Sequence, residues 1–299
     1  MAIGGGSRPE LQHNLPDEID SSPGGRRSRI LGGGRGEGVR GVVIAMLSTV
    51  VFFAVVVVAI VHAPGWPLVK QEFFNGQRFV ESFPAILGAF RVNVELFLVA
   101  EVFILVFALV LAVLRSLPGP VFFPIRALAI AYTDFFRGVP TILVIYILGF
   151  GAPPLGRGVP RSEFFWAVVA LVLVYSAYVA EVYRAGIESV HESQVAAARS
   201  LGLSRWQSTR YVVLPQAVRR VIPPLLNDFI GLQKDTALVA ILGVVEAFRQ
   251  SQIDEAATFN FTPYLATALL FVAITIPMAR FTDWLILRGR TRRRAGGAF

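Results

Sequence analysis

The sequence predicts an all-α, polytopic integral membrane protein with about six transmembrane helices and one long polar loop between the fourth and fifth. Three observations predict it. Of the 299 residues, 55% are hydrophobic and only 16% charged, where ordinary soluble domains carry about 25% charged residues. Apolar runs of about 20 residues, the length that crosses a bilayer, recur along the chain. Arginines gather beside those runs, as the positive-inside rule expects of cytoplasmic segments. The net charge of +8 therefore belongs to membrane orientation, and no nucleic-acid partner is expected. The chain has no Cys, which excludes disulfides and thiolate metal sites, and its three His are scattered, so no metal site is expected.

Residues 1–41 are rich in Gly, Ser, Pro and Arg and lack apolar periodicity. They are expected to be disordered and cytoplasmic. The run at 42–61 is right for a bilayer span. A secretory signal would have a shorter core and an A-x-A site, so an uncleaved helix is expected. Residues 62–91 read as an external loop whose Trp66 and Phe residues suit a membrane–water interface. Within it, 83–90 is either a short interfacial helix or a plain connector. The membrane domain proper is 92–288, and 289–299 form a basic cytoplasmic tail.

The second span, 94–114, carries Glu95 near water and Glu101 deeper. A carboxylate in lipid costs about 2.5 kcal/mol or more, so Glu101 faces protein or is protonated. Asp134, Arg137, Gly138 and Pro140 interrupt the third apolar region, 127–149. An elbow helix at the inner surface is expected there, with the span itself starting near Pro140. Asp134 and Arg137 are spaced to pair across one helical turn. The fourth span is 164–183. The fifth, 217–245, contains Pro223, Pro224, Asn227, Asp228, Lys234 and Asp235. A helix so interrupted is tolerated only where it is buried in protein or lines a cavity. The sixth span, 264–287, is followed by arginines that hold the tail inside. Six spans put both termini in the cytoplasm.

The loop at 190–215 has its own local code. Ser193 is placed to cap a helix. Gln194, Ala196, Ala197 and Ala198 lie in a run that forms helix readily. Gly202 stands where a helix ends in the left-handed conformation. Ser204 and Gln207 have the spacing of a capping box. A second helix is expected to reach about Val213 and to stop at Leu214 and Pro215, since proline cannot donate to the helix ladder. The prediction is helix–Gly–helix, and a short Ala-rich helix has a smooth surface suited to a groove on a partner.

The run AAARSLG at 196–202, followed after nine residues by VVLP at 212–215, resembles the EAA loop of ABC importer permeases. AYVAEVYRAGIESV at 177–190, LPQAVRRVIPPLLNDFIGLQKDTAL at 214–238 and FRGVP at 136–140 are similar to the branch that imports polar amino acids, of the histidine, glutamine and arginine kind. Four motifs occur in the family's order, over roughly residues 83–288. The resemblance implies a five-span core, to which 42–61 adds an N-terminal helix. It implies a bacterial inner-membrane permease whose loop docks on a cytoplasmic ATPase. The implied partners are two ABC ATPase subunits, a second permease chain (a copy or a sister), an extracytoplasmic solute-binding protein and the lipid bilayer. The implied substrate is a polar amino acid or a related small zwitterion. ATP and Mg would belong to the ATPase, and this chain would bind no cofactor and catalyse no reaction. Two departures stand out: Ala196 occupies the place of the family's glutamate, and Ala237 that of the serine in its KDTSL motif. With Ser193, a glutamate at 196 would complete a capping box.

An ion-coupled secondary amino-acid transporter is the alternative, since broken helices with internal charges suit it too. Against it, no internal repeat places interrupted helices at matching positions. A membrane enzyme would need a catalytic cluster, and none is visible. For the translocation pathway the candidates are Glu181, Asn227, Lys234, Asp235 and Thr236, because charges inside a membrane are functional by default. The alternative for Glu181 and Lys234 is a pair that holds the fourth and fifth spans together.

Overall fold

A computed structural model describes the backbone of residues 35–296 and the side chains of residues 40–288. The chain divides into two units, residues 1–66 and 67–299. Among the described residues there is helix and no strand. The expectation of disorder for 1–41 falls mostly outside the described residues, and from Arg35 the chain is already helical.

Among the described residues, the first unit contains the helix α1 (Arg35–Val61). It is apolar all round from Val42 to Val61, a pattern that suits burial or lipid. Its Val-rich half is a poor helix former in water. A span keeps helical geometry because hydrocarbon offers backbone groups no other partner. Ser48 and Thr49 donate back to the carbonyl of Ala45.

In the second unit α2 (Trp66–Phe73) leads to the long helix α3 (Gly76–Ser116). The stretch read as an external loop, 62–91, is thus mostly helical, and 83–90 is neither a separate interfacial helix nor a connector. Asn75 caps α3 with its side-chain oxygen on the N–H groups of Gln77 and Arg78. Ile86 and Phe90 are buried against Ala247 and Ala266, with Phe83 and Phe271 beside them. Burial of that face extends the helix back to Gly76, and no local sequence signal could announce it.

The remaining elements are α4 (Phe123–Gly138), α5 (Thr141–Gly151), α6 (Glu163–Glu188), α7 (Glu192–Ser200), α8 (Arg205–Ser208), a π-helical turn (Thr209–Val213), α9 (Leu214–Asp235), a 3-10 segment (Thr236–Leu242), α10 (Ala247–Thr258) and α11 (Thr262–Gly296). The helix thus continues into the expected tail. The core joins α3 to α6. Leu96, Ala100, Ile104, Ala108 and Leu111 of α3 meet Ala167, Ala170, Leu171 and Val174 of α6. Small residues on both faces let helices in lipid approach closely, where dispersion and not hydrophobicity drives packing. The α4–α5 pair bends by 104°. Val139 is extended (φ −96°, ψ 130°), as the residue before a proline prefers, so Pro140 makes the expected elbow.

Among the described residues, four helical stretches are long and apolar enough to cross a membrane, or five if the bent pair is one span. The expected fifth span, 217–245, is not among them. Its helix α9 is strongly polar on one side, and the chain leaves α geometry at Thr236 before Gly243 stops it at φ +92°. Of the interruptions read in the sequence, Pro223, Pro224, Asn227 and Asp228 lie inside the continuous helix α9, and the chain breaks only after Lys234 and Asp235.

Candidate functional site

The polar loop folds as helix–Gly–helix, with local bonds satisfying nearly every end group. α7 closes on Gly202 (φ +85°). The Leu203 N–H reaches the carbonyl of Ala198 and the Gly202 N–H that of Arg199, the paired bonds of a Schellman ending. Ser204 and Gln207 form the expected capping box: Gln207 N donates to Ser204 Oγ at 3.2 Å and Ser204 N to Gln207 Oε1 at 2.8 Å.

Two expectations here need correction. The cap of α7 is His191, whose Nδ1 accepts from the Ser193 N–H at 3.2 Å. Ser193 lies inside the first turn and bonds to the same ring. Ala196 is therefore the fifth helical residue, and a glutamate there could form no capping box with Ser193. The second correction concerns Leu214 and Pro215, where the helix does not stop. The π-helical turn places the Leu214 N–H on the carbonyl of Thr209, and Pro215 then sits in the first turn of α9, where its missing N–H costs nothing. Gln194 is tied to Gln216 at the start of α9. Ala198 is buried, whereas Ala196, Ala197 and Gly202 are open. Leu201 and Trp206 stand 83% and 69% exposed. Among the described residues Arg199, Arg205 and Arg210 make no ion pair, so the turn offers an apolar centre with a cationic rim.

The broken helix builds a second polar region. Asn93 of α3 donates from Nδ2 to Thr236 Oγ1 at 3.1 Å and to Glu246 Oε2 at 2.8 Å, and its Oδ1 accepts the Ala247 N–H at 3.1 Å. Glu246 also caps α10, accepting from Phe248 and Arg249 N–H groups. All three side chains are buried, and each polar atom has a partner, as a membrane interior requires. Asp235 accepts from the Tyr175 hydroxyl at 3.0 Å. Gly231 makes room for that ring, since a Cβ there would stand 3.2 Å from the hydroxyl. Lys234 is exposed and lines a slot of about 320 Å³ with Phe248, Tyr264 and Phe271. Asn227 is exposed on α9. Beside this region Glu101 is buried, and its Oε1, like Asp228 Oδ2, has no partner among the described residues. The two carboxyls lie within electrostatic reach of each other.

Glu181 does not join the other pathway candidates, nor does it pair with Lys234. Its Oε2 meets Arg115 Nη1 at 3.0 Å and Arg184 Nε at 3.1 Å, with Arg137 at 4.0 Å, and its Oε1 is held by Arg184 Nη2. Arg137 thus reaches Glu181 and has no ion pair with Asp134. Lys234, Asp235 and Thr236 do come together, at the break. Sequence reasoning missed Asn93 and Glu246. A lone Asn at the edge of an apolar run has no periodic signal, and Glu is not a preferred capping residue. That Glu101 Oε1 and Asp228 Oδ2 find no partner among the described residues is a tertiary fact.

Residues 121–290 match the family described as the binding-protein-dependent transport system inner membrane component. The chain is 34% identical over 199 residues to the probable amino-acid permease YxeN of Bacillus subtilis, covering 66% of this chain and 88% of that one. It is 33% identical over 215 residues to the probable amino-acid ABC transporter permease PatM of Vibrio harveyi, covering 71% and 94%. Among solved structures, one described as an amino acid ABC transporter with histidines aligns at TM-score 0.66 and 29% identity, over 72% of this chain and 98% of that one.

Proposed function

The chain belongs to the family of binding-protein-dependent transport system inner membrane components, and from that premise we propose that it is the permease of an ATP-driven importer of a polar amino acid. It is a multi-pass membrane protein. The observation that carries the reading is the turn at Gly202. It is closed by its own backbone and capping bonds, yet presents Leu201 and Trp206 to solvent. A rigid, self-satisfied element with an apolar, cation-rimmed face suits docking on a second protein. In this reading that protein is one of two ATPase subunits, which carry ATP and Mg. ATP closes the ATPase pair, the turns move with it, and the spans alternate between inward and outward facing.

The solute arrives from an extracytoplasmic binding protein and passes between this chain and a second permease, a copy or a sister. The ammonium of Lys234 supports that arrangement. A lysine facing lipid at depth costs roughly 2.5–3.5 kcal/mol, so its face is covered by a second chain or lines a wet path. Asp235, Glu101 and Asp228 supply carboxylates for a substrate ammonium, and Lys234 a cation for its carboxylate. Both termini and the turn lie on the cytoplasmic side of the inner membrane. Relatives named as ABC permeases leave the ion-coupled carrier without support.

Vesicles reconstituted with this chain, its ATPase and its binding protein should take up labelled polar amino acid only when ATP and binding protein are both supplied. Uptake driven by an ion gradient without the ATPase would overturn the reading. Topology has a separate check, since the chain has no native Cys. A Gln207→Cys variant should resist labelling from outside intact cells and accept it from inside.

A further inference from the structure

Helix α3 carries one polar grip near its middle, at Asn93, and another near its C-terminal end, at Arg115, with an unbroken stretch between them. At the inner end Arg115 binds Glu181 at 3.0 Å, with side chains only 13% and 22% exposed. Charge-assisted bonds of this kind are short and strong. Glu181 lies in the last third of α6, two turns before Glu188 and ten residues before His191, which caps the first helix of the docking turn. At the outer end Asn93 binds Thr236, Glu246 and the Ala247 N–H, all buried. Thr236 is the first residue of the break, directly after Lys234 and Asp235.

Helices bend sharply at proline, at glycine pairs or at π-bulges. Residues 94–114 contain no Pro and no Gly, while Pro84 and Gly88 lie outward of Asn93. The 22 steps from Asn93 to Arg115 span roughly 33 Å. Along that length α3 is packed against α6 through Leu96, Ala100, Ile104, Ala108 and Leu111, and dense interiors transmit strain.

We propose that α3 is a tie rod, with Arg115, Glu181 and Asn93 as positioning residues that carry displacement of the docking turn to the break at Lys234–Thr236. The proposal rests on the reading of this chain as an ATP-driven permease. Glu181 has both oxygens occupied by arginines, so its place in transport is mechanical and it takes no substrate. Movement of the inner end of α6 draws Arg115 with it. Asn93 then shifts against Thr236 and Glu246, and so sets the far end of α9, whose near end continues from the turn itself.

The experiment is a double-mutant cycle in reconstituted vesicles, read as solute moved per ATP hydrolysed. Two sites so far apart and sharing no partner ordinarily act independently. Arg115→Gln and Asn93→Ala should each lower the ratio by about threefold or more while hydrolysis continues. The double variant should be no worse than the more severe single one, because a severed rod cannot be severed twice. Multiplying effects, or a wild-type ratio in either single variant, overturns the proposal. Glu181→Gln, which keeps shape and one acceptor, supplies a milder cut should the others fold poorly. With cysteine labels at Gln207 and Val245, ATP should shift both in the wild type and only the Gln207 label in Glu181→Gln. A shift of both labels in that variant also overturns the tie rod. A wild-type complex that moves no solute with ATP sinks the transport reading, and the tie rod with it.

Discussion

The turn at Gly202 and the break beside Asn93 are both polar, and they satisfy their polar groups in opposite ways. In the turn, every defining bond joins residues five or fewer apart: Leu203 to Ala198, Gly202 to Arg199, Ser204 to Gln207. At the break, Asn93 reaches across 143 residues to Thr236 and 153 to Glu246. The turn is exposed and can lose a bond to water at little cost. The break is buried, and a donor left unpaired there costs its full desolvation, about 1–3 kcal/mol. One region is therefore built to be stable by itself and to meet something else. The other is built to hold the rest of the chain in one arrangement.

The strongest test of that contrast is Glu246→Ala. It strips partners from the Asn93 amide and from the Phe248 and Arg249 N–H groups together, so a loss of about 3 kcal/mol or more is expected. Thermal unfolding and the yield of monodisperse protein in detergent would show it. A melting temperature near that of the wild type would mean that the break is not what holds these segments.

Gly202→Val should show the converse. A β-branched residue at φ +85° is strained by about 1–2 kcal/mol, and the strain is confined to an exposed turn. Uptake should fall about tenfold, the equivalent of roughly 1.4 kcal/mol in docking, while folded yield stays near the wild-type level. Yield falling as far as uptake would erase the distinction between the two regions.

Smaller effects sharpen the boundary between them. Tyr175→Phe removes one bond to Asp235 and should cost about 1 kcal/mol of stability. A Tyr175→Phe melting curve superimposable on the wild type would show that water or another group already satisfies Asp235. Ala196→Glu should change stability by about 0.5 kcal/mol or less, since an acid near a helix start gains only modestly from the dipole. A gain as large as a full cap would restore the discarded capping box with Ser193. ATPase pull-down on this variant separately reports whether the added charge helps or hinders docking on a cation-rimmed face.

The same contrast explains what could be read from the sequence. Gly202, Ser204 and Gln207 were legible because their partners lie within a turn. Pro140 was legible because a proline constrains the residue before it. His191 was missed as a cap because Ser193 two residues on is the commoner capping type. The continuation through Pro215 was missed because a π-helical turn absorbs the missing donor, which no local pattern signals. Glu181 stood out as a charge inside a span, but whether it faces Lys234 or three arginines depends on which helix ends lie beside it.

The sequence by itself determined that the chain is helical and membrane-embedded, where four of the six expected spans run, and that a helix–Gly–helix turn interrupts them. These follow from composition, apolar run length and bonds made within a few residues. The tertiary structure alone decided that α3 begins as early as Gly76, that Asn93 and Glu246 lock the break, that Glu181 belongs to the arginines, and that Glu101 Oε1 and Asp228 Oδ2 find no partner among the described residues. Each of those depends on groups far apart in the chain being brought together in a medium where no water can substitute, and only packing specifies that.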